Sequence, residues 1–326
     1  MTVYDIYPWH RTAWERLQQR VASGRLAHGL LLTAPAGAGA ETFARQFAAS
    51  LLDAAGSERS TALLAAGSHP DLMIQQPEEA GKAIKVDAVR ELIEFVSLTA
   101  QYGARKVAVI LEAEALNRHA ANMLLKTLEE PPAQSQLILV SAQPALLPIT
   151  IRSRCQVVDL TPVMDEQAER WLQQETGGKQ ADSGLLLAIS GQAPLAARDL
   201  TGEDGLPLRD QLIVDLADLR AKRSDVVAVA ERWNKAGALS VYRWLYRLTR
   251  DLVRCRVLDA SAAINRDQSQ RIANLTAGLS LRQVINYHDL VIKNYRLLTG
   301  PTNPNSAVLL EDFILHWQGT VETQQP

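Results

Sequence analysis

Hydrophobic and polar positions alternate with two different periods along the first half of this chain. Short apolar runs at Gly29–Thr33, Leu72–Ile74, Lys106–Leu111 and Leu137–Val140 are bounded by glycine, proline or small polar residues. Runs this short and this apolar predict strands buried on both faces, as in a parallel sheet. Between them lie segments of helical period. Trp9–Arg20 places Ala13, Leu17 and Val21 on one face. After the first strand, the segment Ala34–Thr42 opens a helix that continues to about Leu52, and another, Ala88–Leu98, is expected behind Asp87 as its N-cap. The stretch from Asp53 to Ser68 is small and polar, a loop or short helical insertion. Past Leu160-Thr161-Pro162 the strand signal stops. Helices are expected at Asp165–Thr176, Ser183–Ser190, Leu208–Ala221, Asp225–Lys235, Ser240–Leu258, Leu281–Thr299 and Ser306–Trp317, with a break from Pro301 and a frayed tail at Val321–Pro326.

One helix carries a local misfit. Asn117 is a plausible N-cap, and Ala120, Ala121, Leu124, Leu125 and Leu128 recur at helical spacing. Pro131 and Pro132 stop the helix near Glu130. Glu129 and Glu130 thereby put negative charge at the negative end of the helix dipole, costing roughly 0.3–1 kcal/mol each, partly offset by Lys126. A choice that is wrong for stability marks a candidate functional surface.

Composition narrows the classes. With 326 residues, two or three domains are expected, and 47% hydrophobic against 21% charged residues is a globular balance. The formal net charge of −2 and pI near 6.3 give no support for a free-standing nucleic-acid binder. The two cysteines, Cys155 and Cys255, have no metal-ligand spacing, and the six histidines are scattered singly, so neither a disulfide framework nor a metal site is readable. No apolar run reaches the roughly 18 residues of a membrane span, and the start (MTVYDIYPWHR) has no leader pattern. A cytoplasmic protein is expected, with no membrane partner.

Strand, glycine-rich turn and helix at Gly29–Leu52 form the setting of a phosphate-binding loop. A working loop follows G-x-x-x-x-G-K-[ST], with backbone N–H groups and a lysine on the phosphates and a hydroxyl on magnesium. Here Gly37 and Gly39 are present, but Ala34 stands for the first glycine, Ala40 for the lysine and Glu41 for the hydroxyl residue; Thr42 brings a hydroxyl one position late. At about 4 Å and an effective dielectric of about 20, one carboxylate repels a unit of phosphate charge by about 4 kcal/mol. No bound nucleotide, metal or other cofactor is expected. In an ATPase the strand Lys106–Leu111 would end in Asp-Glu; Leu111 takes the aspartate position and only Glu112 remains. Ser141, at the end of the next strand, is either a polar phosphate sensor or a turn former.

The run Asn122–Pro132 (NMLLKTLEEPP), followed by Ser153-Arg154-Cys155, resembles the clamp-loader branch of the AAA+ proteins. His69-Pro70-Asp71 and the ending Leu315-His316-Trp317 also resemble that family, although the first reads equally as a simple turn. The four-cysteine zinc module of many relatives is missing between Asp53 and Ser68. Gly191-Gln192-Ala193-Pro194 places proline where active relatives carry a sensor arginine, and resembles the delta prime branch of the bacterial DNA polymerase III clamp loader. The resemblance implies a fold: an α/β AAA+ (P-loop NTPase-like) domain with a parallel sheet at residues 1–160, a small helical lid domain at 161–204 and an all-α C-terminal collar domain at 205–326. It further implies that Arg154, with Ser153 and Cys155 of its motif, acts in trans as an arginine finger on ATP held by a neighbouring motor subunit. The implied partners are the motor (gamma/tau) and delta subunits and, through the complex, the sliding clamp and primer-template DNA. Two alternatives stay open: an active motor subunit, opposed by Ala40, Leu111 and Pro194, and the clamp-opening delta subunit, opposed by Arg154. Finally, Arg243, Arg247, Arg250 and Arg254 form a basic stripe on one helix face, either solvated or in contact with a partner or DNA phosphates.

Overall fold

The computed structural model describes residues 6–53, 58–79, 82–102, 105–162, 166–177, 182–299 and 304–319. The tail at Val321–Pro326, the break at Pro301 and the start of a helix at Asp165 lie outside the described residues. The chain divides into two compact units, one comprising residues 1–171 with 192–196 and the other 172–191 with 197–326.

In the first unit, five parallel strands, β1 (Gly29–Thr33), β2 (Leu72–Gln75), β3 (Lys106–Ile110), β4 (Ser135–Ser141) and β5 (Gln156–Asp159), form one sheet in the order β2-β3-β4-β1-β5. This is the AAA+ arrangement. Leu30, Leu31 and Leu32 of β1 pair in register with Ile138, Leu139 and Val140 of β4. Because side chains alternate across a strand, the triplet splits between two cores. Leu30 and Leu32 pack with Leu17 of α1 (Arg11–Ala22) and with Phe43, Phe47 and Leu51 of α2 (Ala40–Asp53). The short helix α3 (Glu58–Ala65) occupies the polar stretch after α2. Leu31 packs on the other face, beside Val89, Leu92 and Val96 of α4 (Val86–Ser97) and Ala120, Leu124 and Leu128 of α5 (Arg118–Glu129). Each such leucine is fully buried and contributes about 1.5–3 kcal/mol.

Two expectations change here. Helix α4 is capped at Lys85, so Asp87 is not its N-cap; Asp87 lies in the first turn and pairs with Arg90 at 2.6 Å. The residue ahead is pinned by Ile84, whose N–H donates to the Ala115 carbonyl at 2.8 Å, and the helix starts as soon as that bond is made. Strand β5, immediately after Cys155, was not expected. Its residues alternate between half-buried and exposed at the sheet edge, so it carries no apolar run. By contrast α5 has the expected cap, Asn117, whose side chain accepts the Ala120 N–H at 2.8 Å.

His69-Pro70-Asp71 is a structural knot. The Asp71 carboxylate is fully buried, lies 3.1 Å from buried Lys106 Nζ, and accepts the Gln101 and Tyr102 N–H groups at 2.8 and 2.7 Å. The Asp71 N–H donates to His69 Nδ1 at 3.0 Å, so Nε2 carries the ring proton toward Ser60 Oγ at 2.9 Å. That tautomer suits a brace and cannot deprotonate the serine. The turn Pro8–His10 buries His10, whose Nε2 donates to the Leu160 carbonyl at 3.2 Å while Nδ1 has no hydrogen-bond partner. Burial lowers the His10 pKa to about 4, opposed by the Leu160 hydrogen bond.

The second unit is helical: α8 (Ser183–Ser190), α10 (Leu206–Arg220), α11 (Val226–Lys235), α12 (Ala238–Val257), α13 (Ser269–Leu275), α14 (Leu281–Thr299) and α15 (Ser306–Gly319). The chain passes between the units three times, within α7 (Glu166–Glu175), between Gly191 and Gln192, and within α9 (Pro194–Asp199). Tryptophans tie the later helices together: Trp233 Nε1 donates to buried Asp215 at 2.7 Å and Trp317 Nε1 to the Leu216 carbonyl at 2.9 Å.

Two stability outcomes follow from the buried ionisable groups. Asp71→Ala strands Lys106 without its counter-charge and should cost about 3–5 kcal/mol in urea unfolding; a loss below about 1 kcal/mol would refute the knot. For His10, the folded pKa lies below the unfolded value, so its contribution is full above pH 6.5 and is lost as pH falls toward 4. The loss is about 3 kcal/mol, and His10→Gln should flatten the stability slope in that window; identical slopes for both proteins would contradict it.

Candidate functional site

The loop between β1 and α2 keeps the backbone of a phosphate cradle. Gly37 and Gly39 have φ of 83° and 91°, the left-handed region that L side chains avoid. The flanks of the loop are occupied by the chain itself. A Cβ at position 37 would lie 2.6 Å from Ala196 Cβ, and one at position 39 would lie 2.6 Å from the Tyr7 ring. Tyr7 stacks on Trp9 with ring centroids 4.8 Å apart, and both meet Trp171 edge-on, at 5.8 and 5.1 Å. Trp9 Nε1 donates to the Ala38 carbonyl at 2.9 Å and the Leu195 N–H to the Gly37 carbonyl at 2.9 Å. Ala40 is buried and brings no cation. Glu41 turns along α2 to Arg45 at 2.9 Å, and Thr42 is half-buried in the first turn.

The neighbouring strand ends are acidic. Leu111 is buried, and Glu112 adopts φ 48°, a left-handed conformation uncommon for a non-glycine residue. Burial raises the Glu112 carboxyl pKa, and the charges of Glu114 and Glu41 raise it further. Glu114 accepts the N–H groups of Ala142 and Gln143 at 3.0 and 3.2 Å, which fixes the end of β4. Ser141 is buried and accepts the Gln143 N–H at 3.2 Å, the geometry of a turn former. The Glu112 carboxylate, set beside the charges of Glu114 and Glu41 with no cation from the loop, opposes a polyphosphate.

The other predicted residues gather at the opposite end of α5. A short helix, α6 (Ile149–Arg152), delivers Ser153-Arg154-Cys155 to the start of β5. Arg154 Nε donates to Glu129 Oε1 at 2.8 Å, a second guanidinium nitrogen lies 2.5 Å from the same oxygen, and Nη1 donates to the Thr150 carbonyl at 3.0 Å. Ser153 Oγ donates to the Thr150 carbonyl at 3.2 Å and accepts weakly from Arg154 at 3.4 Å. Both partners of the Arg154–Glu129 pair stay accessible, with side-chain exposures of 35% and 50%. An exposed pair is worth at most about 1 kcal/mol, so its consequence is the orientation of the guanidinium. It also supplies the cation that the end of α5 lacked. Cys155 packs beneath, against the α4–α5 core, and burial pushes its thiol up to about 11, which makes it a packing group.

Two features of this surface were invisible in the chain order. The Tyr7–Trp9–Trp171 cover joins residues far apart in sequence; the only signal was a pair of aromatics flanking Pro8 ahead of α1. The Glu129–Arg154 pair was foreshadowed by the misfit at the end of α5, without its partner. His28 completes that end, with Nε2 2.7 Å from the Leu128 carbonyl.

Comparison with known proteins matches residues 9–164 to the family described as DNA polymerase III, delta subunit, and residues 203–319 to its C-terminal family. The chain is 34% identical to the DNA polymerase III subunit delta' of Pseudomonas aeruginosa, covering 96% of this chain and 97% of that one. It is 32% identical to the subunit delta' of Escherichia coli, covering 95% and 94%. A more limited likeness, 32% over 54% of this chain and 50% of the relative, links it to the DNA polymerase III subunit gamma of Buchnera aphidicola. With a glycine-rich loop that brings no lysine at one end of its sheet, an accessible arginine beside α5, and subunit delta' relatives matched over 95% and 96% of its length, the chain belongs to the delta prime family of DNA polymerase III clamp-loader subunits.

Proposed function

We propose that this chain is a non-hydrolysing scaffold that supplies Arg154 in trans to ATP bound by a neighbouring gamma/tau motor subunit. The observation that carries the reading is the contrast between two sites on one domain. The chain's own glycine-rich loop is flanked by Tyr7 and lacks the lysine, while Arg154 stands at the surface with its guanidinium aimed by Glu129. Arginine stabilises the charge that develops on a transferred phosphoryl group because its planar fork bonds two oxygens at once. In this reading residues 1–160 form the ATPase-like domain, 161–204 its lid and 205–326 a collar that packs with the motor and delta subunits. The ring so formed holds the gap through which primer-template DNA meets the sliding clamp. Ser153 and Cys155 hold the backbone on either side of Arg154.

The deciding measurement is ATP hydrolysis by gamma/tau and delta subunits with clamp and primed DNA, supplemented by this chain. The chain alone should be inert and should show no saturable ATP binding up to about 1 mM; turnover by the chain alone would move it to the motor class. Wild type should stimulate. Arg154→Ala should assemble equally well and lose the rate at the site it serves, where such fingers contribute roughly 10³–10⁵-fold. Glu129→Gln should fall between the two, since the arginine remains but its aim is relaxed. A Glu129→Gln variant as active as wild type would remove the orienting role while leaving that of Arg154 standing.

A further inference from the structure

The arginine stripe on α12 is not explained by the site above. Arg243 is exposed, and Arg247 and Arg250 are half-buried. The Arg247 guanidinium lies 4.9 Å from the Trp244 ring centroid and that of Arg250 lies 6.0 Å from Tyr246. Tyr246 is itself 40% exposed and stacks on His288 of α14 at 5.2 Å, and Thr249 Oγ1 lies 2.9 Å from His288 Nδ1, which braces that ring. The ridge is therefore held in shape by aromatic rings, but not neutralised. Among the described residues no carboxylate pairs with Arg243, Arg247 or Arg250, and Arg250 Nε is buried without a hydrogen-bond partner. The nearest acid in sequence, Asp251, is turned inward and accepts the Ile264 and Asn265 N–H groups at 3.0 and 2.9 Å. On α14, burial lowers the His288 pKa, the Asp289 charge raises it and the Arg250 charge lowers it again. At the end of the stripe Arg254 donates to the Ala262 carbonyl at 2.6 Å.

We propose that this ridge docks the phosphodiester backbone of a single DNA strand. A row of like charges on one helix face costs stability and leaves most guanidinium donors unused; a row of anions restores both. From Arg243 to Arg254 the stripe runs about 16 Å along the helix axis, enough for several consecutive phosphates. An acidic protein face is a poorer match, because interface cores are depleted of charge and each arginine would need its own carboxylate. The net charge of −2 does not oppose this. At 0.1 M salt, charges beyond about 10 Å are screened, and the strand feels the ridge alone. Contacts confined to phosphates carry no sequence preference. The proposal is independent of the role given to Arg154.

The test is fluorescence anisotropy of a labelled single-stranded oligonucleotide with the full chain, between about 50 and 200 mM salt. Wild type should bind with a Kd of about 10⁻⁴–10⁻⁶ M at the low end and weaken with salt. Arg243→Ala/Arg247→Ala/Arg250→Ala should lower the log–log salt slope by about 2, at about 0.7 for each phosphate of a single strand that is no longer neutralised. Arg243→Ala alone, at an exposed position that leaves packing intact, should lower it by about 0.7; this variant decides the matter if the triple one fails to fold. No binding by wild type at about 50 mM salt, or an unchanged slope in Arg243→Ala, would overturn the proposal. So would a triple variant that binds DNA as wild type does but no longer joins the gamma/tau subunits on gel filtration, which would assign the ridge to a subunit interface.

Discussion

Every feature of the first unit depends on burying a parallel sheet on both faces. A parallel sheet has no solvated side, so β1 must be apolar throughout and must divide its leucines between two cores. Once α1 and α2 cover one face and α4 and α5 the other, the strand ends are positioned without further choice. The turn after β1 becomes the phosphate loop, the turns after β3 and β4 bring Glu112 and Ser141 beside it, and the end of α5 meets the approach to β5. The two candidate sites are thus opposite consequences of one packing arrangement.

These sites differ in chemistry on one shared frame. At the loop the glycine conformations persist, since they are demanded by the close approach of Tyr7 and Ala196, whereas the lysine and the strand-end aspartate are absent. Filling the flank with Tyr7, Trp9 and Trp171 stabilises the fold by apolar burial where a nucleotide would otherwise supply contacts. At Arg154 the reverse holds. A cation is kept accessible, oriented by Glu129 and by the Thr150 carbonyl, at the cost of a glutamate on the unfavourable end of a helix.

The second unit shows the same division between satisfied and unsatisfied charge. Arg209, almost fully buried, is paired with Asp267 at 2.7 Å and with Asn265 at 3.2 Å, as burial of a guanidinium requires. Arg247 and Arg250 are only stacked on rings. A structural arginine needs its partner within the chain, whereas among the described residues neither of these two has a carboxylate partner, and Arg250 Nε is buried without a hydrogen-bond partner.

Local periodicity was enough to determine four of the five strands, α5 with its Asn117 cap, and the helical second half, because apolar burial imposes its period on elements packed against a core, even on β2, which is only half-buried. It also determined that the phosphate loop had lost its cation, since that depends only on which residue stands at position 40. What it could not supply was any fact created by residues distant in the chain. Strand β5 exists because β1 offers it an edge, and QVVD has no apolar run of its own. The Asp71–Lys106 knot lay inside a motif that read equally well as a turn, and α4 begins at Val86 because Ile84 is tied to Ala115. Glu129 looked like an error until Arg154 came to rest beside it. Charge pairing and ring stacking act through space over a few ångströms, so tertiary structure alone decided which charges were neutralised and which were left for a partner.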